Sequence, residues 1–136
     1  MIYLDSAAVI KLIRSEPHSD DLFDWLDEQP DSRLVSSALV EVEVPRALRR
    51  HAPAMLAAAA PVLTRLFRYG IDDSVRATAG ALTETHLRSL DAIHLATALF
   101  LAADPEHSFR AFVTYDKRLL AAAADNGLPV ASPGPG

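Results

Sequence analysis

Residues Met1-Ile2-Tyr3-Leu4-Asp5-Ser6-Ala7-Ala8-Val9-Ile10 open with a short apolar run, meet a carboxylate, and pass at once into apolar residues at helical spacing. Ile2-Tyr3-Leu4 reads as a strand. Val9, Ile10 and Ile13 read as the inner stripe of a helix that starts near Ser6 and stops before Pro17, because the residue ahead of a proline avoids the helical region. The same order of strand, acid and helix returns at Ala111-Phe112-Val113-Thr114-Tyr115-Asp116. Further β-type runs at Arg33-Leu34-Val35-Ser36, Arg68-Tyr69-Gly70-Ile71 and Pro129-Val130-Ala131 alternate with longer helical patterns. Strands separated by helices imply an α/β fold with a parallel sheet and crossover helices.

Working outward, His18 to Glu28 predicts a second helix with Leu22, Phe23 and Leu26 inward, Trp25 beside them and acids on the other face. Ser36 and Ser37 offer caps for a third helix through Leu39, Val40, Glu43, Ala47 and Arg50, which begins late or bends at Pro45. Pro53 opens an alanine-rich helix to about Phe67, and Asp72 or Asp73 caps another through Leu82. Ser89 caps the most apolar helix, Leu90 to Ala103, and Asp116 begins the last, which Asn126-Gly127 ends. The tail from Ser132 to Gly136 reads as disordered.

The chain has 136 residues and 14.7 kDa, the size of one domain. No apolar run is long enough for a bilayer, and the first residues lack the pattern of a secretory signal. The absence of cysteine removes disulfides, thiolate zinc sites and cysteine nucleophiles, which suits a cytoplasmic protein. A net charge of -5 is unwelcoming to nucleic acid until its distribution is seen. Glu16, Asp20, Asp21, Asp24, Asp27, Glu28 and Asp31 hold 7 of the 18 acids with no Lys or Arg among them, leaving 11 acids against all 13 basic residues elsewhere.

No GxGxxG, P-loop or HExxH motif is present. The five histidines, His18, His51, His86, His94 and His107, show no ligand spacing and read as ordinary surface residues. What stands out is a set of carboxylates. Asp5 and Asp116 end two strands of one parallel sheet and therefore face the same edge. Glu43 sits in an otherwise apolar stretch, and Asp91 opens the most apolar helix. Four gathered carboxylates repel one another unless cations neutralise them, and oxygen-only ligands select hard ions such as Mg²⁺ or Mn²⁺. Two such ions can stabilise both oxygens of a phosphodiester displacement. Each acid also has a plainer reading: Asp5, Asp91 and Asp116 as helix-start acids, and Glu43 as a salt-bridge partner of Arg46 or Arg50.

Four stretches carry a resemblance. Ile2 to Leu12, then Val35-Ser36-Ser37-Ala38-Leu39 with Glu43 and Arg46 to Arg50, then Leu90-Asp91-Ala92-Ile93-His94-Leu95-Ala96-Thr97-Ala98, then Val113 to Leu119 resemble the PIN-domain ribonucleases. Within that superfamily the chain is similar to the VapC toxins of bacterial and archaeal toxin–antitoxin pairs. The resemblance implies a three-layer α/β/α domain over residues 1–131 with a five-stranded parallel sheet of order 3-2-1-4-5. It implies an acidic quartet of Asp5, Glu43, Asp91 and Asp116 that binds Mg²⁺ or Mn²⁺, with Asp5 and Asp91 as principal ligands. Alignment to Ser36-Ser37 and Arg46 favours Glu43 over Glu41. Ser6 and Thr114 match flanking hydroxyl positions, whereas Ala7 stands where the family often has a second hydroxyl. Lys11, Arg46, Arg49, Arg50, Lys117 and Arg118 are candidates for phosphate contacts. The expected activity is metal-dependent hydrolysis of RNA by an activated water. The expected partners are an RNA substrate, a VapB-type antitoxin and a second copy of the chain, with DNA reached only through the antitoxin and no membrane. A non-catalytic PIN-like binding module is the alternative.

Overall fold

The computed structural model describes residues Met1 to Gly134. Strands β1 (Ile2–Leu4), β2 (Leu34–Ser37), β3 (Phe67–Tyr69), β4 (Ala111–Val113) and β5 (Val130–Ala131) form one sheet of order β3-β2-β1-β4-β5, with every neighbouring pair parallel. The connecting helices are α1 (Ser6–Lys11), α2 (Ser19–Asp27), α3 (Val40–His51), α4 (Ala59–Thr64), α5 (Asp73–Ala81), α6 (Ser89–Ala102) and α7 (Lys117–Asp125). The architecture and strand order are those expected from the sequence.

Side chains alternate across β1 and divide the core in two. Ile2 and Leu4 enter one cluster with Val9 of α1, Leu22 of α2 and Val40, Val44 and Leu48 of α3. Tyr3 points to the other face, among Val35, Phe112, Leu95 and Leu101 of α6 and Leu119 of α7. Its ring stacks on Phe112 with centroids 5.2 Å apart. Because β1 is covered on both faces, it reads as an unbroken apolar run rather than an alternating one. Burial of these large side chains is the main drive to fold, worth about 1.5–3 kcal/mol each before entropy is subtracted.

Three elements depart from the sequence reading. Helix α1 ends at Lys11, well short of Pro17, because Leu12 and Ile13 turn their N–H groups to carbonyls three residues back. The Ser19 hydroxyl then bonds both Glu16 N–H and the Arg14 carbonyl, which stabilises a turn in place of further helix. The alanine-rich segment is not one helix: Pro53–Ala58 winds as a 3₁₀ turn, α4 follows, and Phe67 already belongs to β3. Helix α3 starts at Val40 and runs through Pro45, whose missing N–H falls within its first two turns.

Asn126 and Gly127 do end α7, with Gly127 at φ 89°. Ser132 to Gly134 carry no regular structure, and the Pro133 carbonyl accepts a hydrogen bond from the Tyr115 hydroxyl at 2.7 Å. Pro135 and Gly136 lie outside the described residues. No helix among the described residues is long and apolar enough to cross a membrane.

Parallel strands put all their carboxyl ends at one edge. From β1 the chain winds outward to β2 and β3, then returns to the other side of β1 for β4 and β5. The crevice between β1 and β4 is therefore the point where the winding reverses, the place where open α/β sheets bind their ligands.

Candidate active site

Asp5 leaves β1 at this crevice. Its extended backbone makes it the N-cap of α1, with one carboxylate oxygen accepting from Ala8 N–H at 2.9 Å. The other oxygen accepts from the Thr114 hydroxyl, at the end of β4, at 2.6 Å. Asp5 is only 5% exposed. Burial pushes its carboxyl above the ordinary value of 3.8, against the opposing effects of His94 and of the bonds from Thr114 and Ala8, and Asp91 adds a little to the rise.

Glu43 reaches in from the first turns of α3. Its Oε1 accepts from the Ser6 hydroxyl at 2.7 Å and lies 2.9 Å from Nε2 of His94. Burial works to raise this carboxyl, but the bonds from His94 and Ser6 outweigh it and hold Glu43 below its ordinary 4.5. Asp91, in the first turn of α6, accepts from Arg88 Nε at 3.2 Å. Asp116 caps α7, one oxygen taking the N–H groups of Arg118 and Leu119 at 2.8 and 3.1 Å. Its own N–H donates to Thr114 Oγ1 at 3.1 Å, so one threonine joins two of the acids.

All four carboxylates line one hollow of ≈ 210 Å³, together with Ser6, His94 and Arg88. This hollow shares Arg88, Asp91 and Asp116 with a wider cleft of ≈ 520 Å³, whose rim carries His86, Lys117 and Arg118. The acids named from the sequence thus come together, with Ser6 inside and Lys117 on the rim. Thr114 lies buried beneath, bonded to Asp5. Glu41 does not join them and pairs with Arg68 at 3.6 Å. Lys11 and Arg46 line neither space. Lys11 instead donates to the Pro17 carbonyl at 2.8 Å, pairs with Glu16 at 3.5 Å and lies 4.8 Å from the centre of the Tyr115 ring. Arg46 is exposed on α3.

The reading of every histidine as a surface residue fails at His94, which is 1% exposed. Helix α6 lies across the sheet between α5 and α7, so its middle has no solvent face, and a polar ring there needs partners. His94 finds three, in Tyr3, Ser6 and Glu43. The signal in the sequence was the occurrence of an imidazole within an otherwise apolar helix, three residues after Asp91. Arg88 was also passed over, since a residue just before a helix gives no sign of which way its side chain points.

Carboxylates in this number, with hydroxyls and no thiolate, are the donor chemistry of a hard divalent cation. A cation beside them would offset the carboxylate charge brought together at Asp5 and Asp91. Among the described residues no three His, Asp or Glu side chains close tightly enough to hold an ion as they stand, and Asp91 spends one oxygen on Arg88.

Residues 2–125 match the PIN domain family. The chain is 50% identical over 134 residues to Ribonuclease VapC35 of Mycobacterium tuberculosis (strain ATCC 25618 / H37Rv), covering 98% of each. A toxin–antitoxin complex from Klebsiella pneumoniae contains a chain of the same fold, with a TM-score of 0.72, 21% identity and 98% of both chains covered. VapC20 of Mycobacterium tuberculosis, a toxin that cleaves the sarcin-ricin loop, superposes with a TM-score of 0.68 at 17% identity over 94% of this chain and 96% of its own. Half the residues shared with a VapC ribonuclease along the whole chain, on a fold with the acids at its switch point, make this protein a member of the PIN-domain family and, within it, of the VapC ribonucleases.

Proposed function

We propose that the protein is an endoribonuclease toxin that hydrolyses RNA phosphodiester bonds at the β1–β4 crevice, with Asp5, Glu43, Asp91 and Asp116 holding Mg²⁺ or Mn²⁺. The observation that carries this reading is the convergence of the four carboxylates on one hollow that opens into a cleft with a basic rim. When bound, the cation supplies charge neutralisation at the phosphate and acidifies a water. The chain's own residues do the rest. Asp5, fixed by Ala8 of α1 and by Thr114 beyond β4, would be the anchoring ligand, and Asp91 would supply a second once released from Arg88. Glu43 keeps one oxygen on Ser6 and His94, which leaves the other to support the ion or to position the attacking water. Arg88, Lys117 and Arg118 stand where the flanking phosphates of a strand entering the wider cleft meet positive charge.

Membership of the VapC ribonucleases and the toxin–antitoxin neighbour support a VapB-type antitoxin as the restraining partner; a homodimeric state, a cytoplasmic location and contact with DNA only through the antitoxin belong to the same proposal. Purified protein free of antitoxin should cleave cellular RNA with Mg²⁺ or Mn²⁺ and stop with EDTA. Asp5→Asn and Asp91→Asn should abolish cleavage and relieve growth arrest while the fold is kept. Cleavage that persists in EDTA sinks the mechanism.

The non-catalytic reading draws on the capping bonds of Asp116 and the Arg88–Asp91 pair, which give two of the acids structural employment. It predicts no effect of Mg²⁺ or Mn²⁺ on thermal stability and no RNA cleavage.

A further inference from the structure

We infer that His94 is a positioning residue of the ribonuclease site, which together with Tyr3 fixes Glu43 for its part in hydrolysis. The inference rests on the proposed ribonuclease activity and adds to it a residue outside the acidic quartet.

The hydrogen-bond roles follow from the neighbours. Tyr3 is fully buried in β1, and its phenol hydroxyl is a donor as well as an acceptor. Its oxygen lies 2.8 Å from Nδ1 of His94. A carboxylate only accepts, so Nε2, at 2.9 Å from Glu43 Oε1 and 3.1 Å from Ser6 Oγ, carries the hydrogen and donates. The Ser6 proton goes to the same Glu43 oxygen at 2.7 Å, so Ser6 is free to accept from the ring. Every donor in the set has an acceptor. The chain of bonds ties β1, α6, α1 and α3 together at the rim of the sheet, and its end is a carboxylate in the hollow with one oxygen held by two donors.

A packing role alone does not account for this arrangement. An apolar side chain at position 94 would satisfy the core, whereas the imidazole has to be desolvated and is returned that cost only if each nitrogen is bonded. Both are, and one of the bonds ends on a proposed metal ligand. A ligand carboxylate held by outer partners in this way loses about 10–100-fold in metal affinity or activity when those partners are removed. Among the described residues, Glu43 has no backbone N–H bond to hold it in their absence. Asp5 and Asp116 are held by backbone N–H groups, while Glu43 has its bonds from side chains.

The test compares His94→Leu, His94→Gln and Tyr3→Phe with the wild type, on one RNA substrate with saturating Mn²⁺. Leucine keeps the bulk and loses the bonds; glutamine can return an N–H toward Glu43; phenylalanine removes one hydroxyl from the far side of the ring. His94→Leu should lower kcat by about 10–100-fold with KM nearly unchanged, and His94→Gln should recover most of that loss. Tyr3→Phe should fall between Gln and wild type. Binding of Mn²⁺ to the free protein, followed by the paramagnetic signal of the unbound ion, should weaken and recover in the same order. If His94→Leu is folded by circular dichroism and cleaves with wild-type kcat, or if His94→Gln is no better than His94→Leu, the inference is overturned. Should His94→Leu fail to fold, Tyr3→Phe decides: wild-type kcat and wild-type Mn²⁺ binding overturn it. A wild type that does not cleave RNA refutes the ribonuclease reading instead, and Mn²⁺ binding then still tests the positioning of Glu43.

Discussion

The hydroxyl of Thr114 donates to Asp5 Oδ2 at 2.6 Å and accepts the N–H of Asp116 at 3.1 Å, so the ends of β1 and β4 are joined through a single buried side chain. Strand pairing alone brings those ends near each other, since Leu4 lies opposite Val113. The threonine converts that proximity into a fixed spacing between two of the acids. Thr114→Val keeps the shape and removes both functions, leaving a buried carboxylate oxygen and a backbone N–H without their partner. The expected cost is about 1–3 kcal/mol of stability, with Thr114→Ser close to wild type. Denaturant unfolding of the two variants measures it, and equal midpoints for Val and wild type would contradict the assigned bonds.

Asp5 and Glu43 should respond to pH with opposite sign in the metal-free protein. The folded state raises the Asp5 value above 3.8, so the contribution of this group to stability is fully present below 3.8 and is lost as pH rises through the raised value. Glu43 is lowered from 4.5, so its contribution is present above 4.5 and is lost as pH falls through the lowered value. At neutral pH, Asp5→Asn should therefore raise the melting temperature while destroying activity, a trade of stability for function common at active sites. Glu43→Gln should lower it. Thermal melts from pH 3 to 7 check both signs, and a fall in both variants would refute the assignment.

Divalent metal should stabilise the folded chain, because an ion bound by the assembled acids has no comparable site in the unfolded one. At one hundred times the dissociation constant the gain is about 2.7 kcal/mol. Asp91→Asn should remove most of this response, whereas Glu41→Gln should leave it whole, since Glu41 is paired with Arg68 away from the hollow. Melting curves in Mn²⁺ and in EDTA measure the difference. An equal shift in wild type and Asp91→Asn would place the ion elsewhere.

The parts of the fold that were legible in the sequence are those where local chemistry and tertiary structure agree. Ile2-Tyr3-Leu4 and Phe112-Val113 are apolar on both faces because the sheet is covered on both faces. Asp5 and Asp116 were legible because a strand end and a helix cap coincide with the switch point of the sheet. The alanine-rich segment was not legible as a 3₁₀ turn, a short helix and the lead-in to a strand, since alanine favours helix whatever follows. Lys11 shows a different limit. The resemblance makes it a candidate for a phosphate contact, yet the turn at Glu16 and Pro17 draws its ammonium group away. Buried polar partners such as Tyr3 and His94 are 91 residues apart, and only the topology brings them to one point.

Arg88 separates two effects that a uniform electrostatic account would merge. Its guanidinium is mostly exposed, so the bond to Asp91 adds little to stability, about 1 kcal/mol at most. It does compete with a cation for the same carboxylate, and it faces both the hollow and the wider cleft. Arg88→Ala should thus leave Mn²⁺ binding equal or tighter while weakening RNA binding. Each lost phosphate contact should reduce the salt slope of RNA affinity by about 0.7 for a single strand. Lys117→Ala should reduce the slope in the same way without affecting metal. Arg46→Ala and Lys11→Ala, which alter groups outside both spaces, should leave the slope at its wild-type value. Binding of a noncleaved RNA to Asp5→Asn protein over a range of salt concentrations makes the comparison. A slope that drops for Arg46 and not for Arg88 would place the RNA path along α3 instead of across the mouth of α6 and α7.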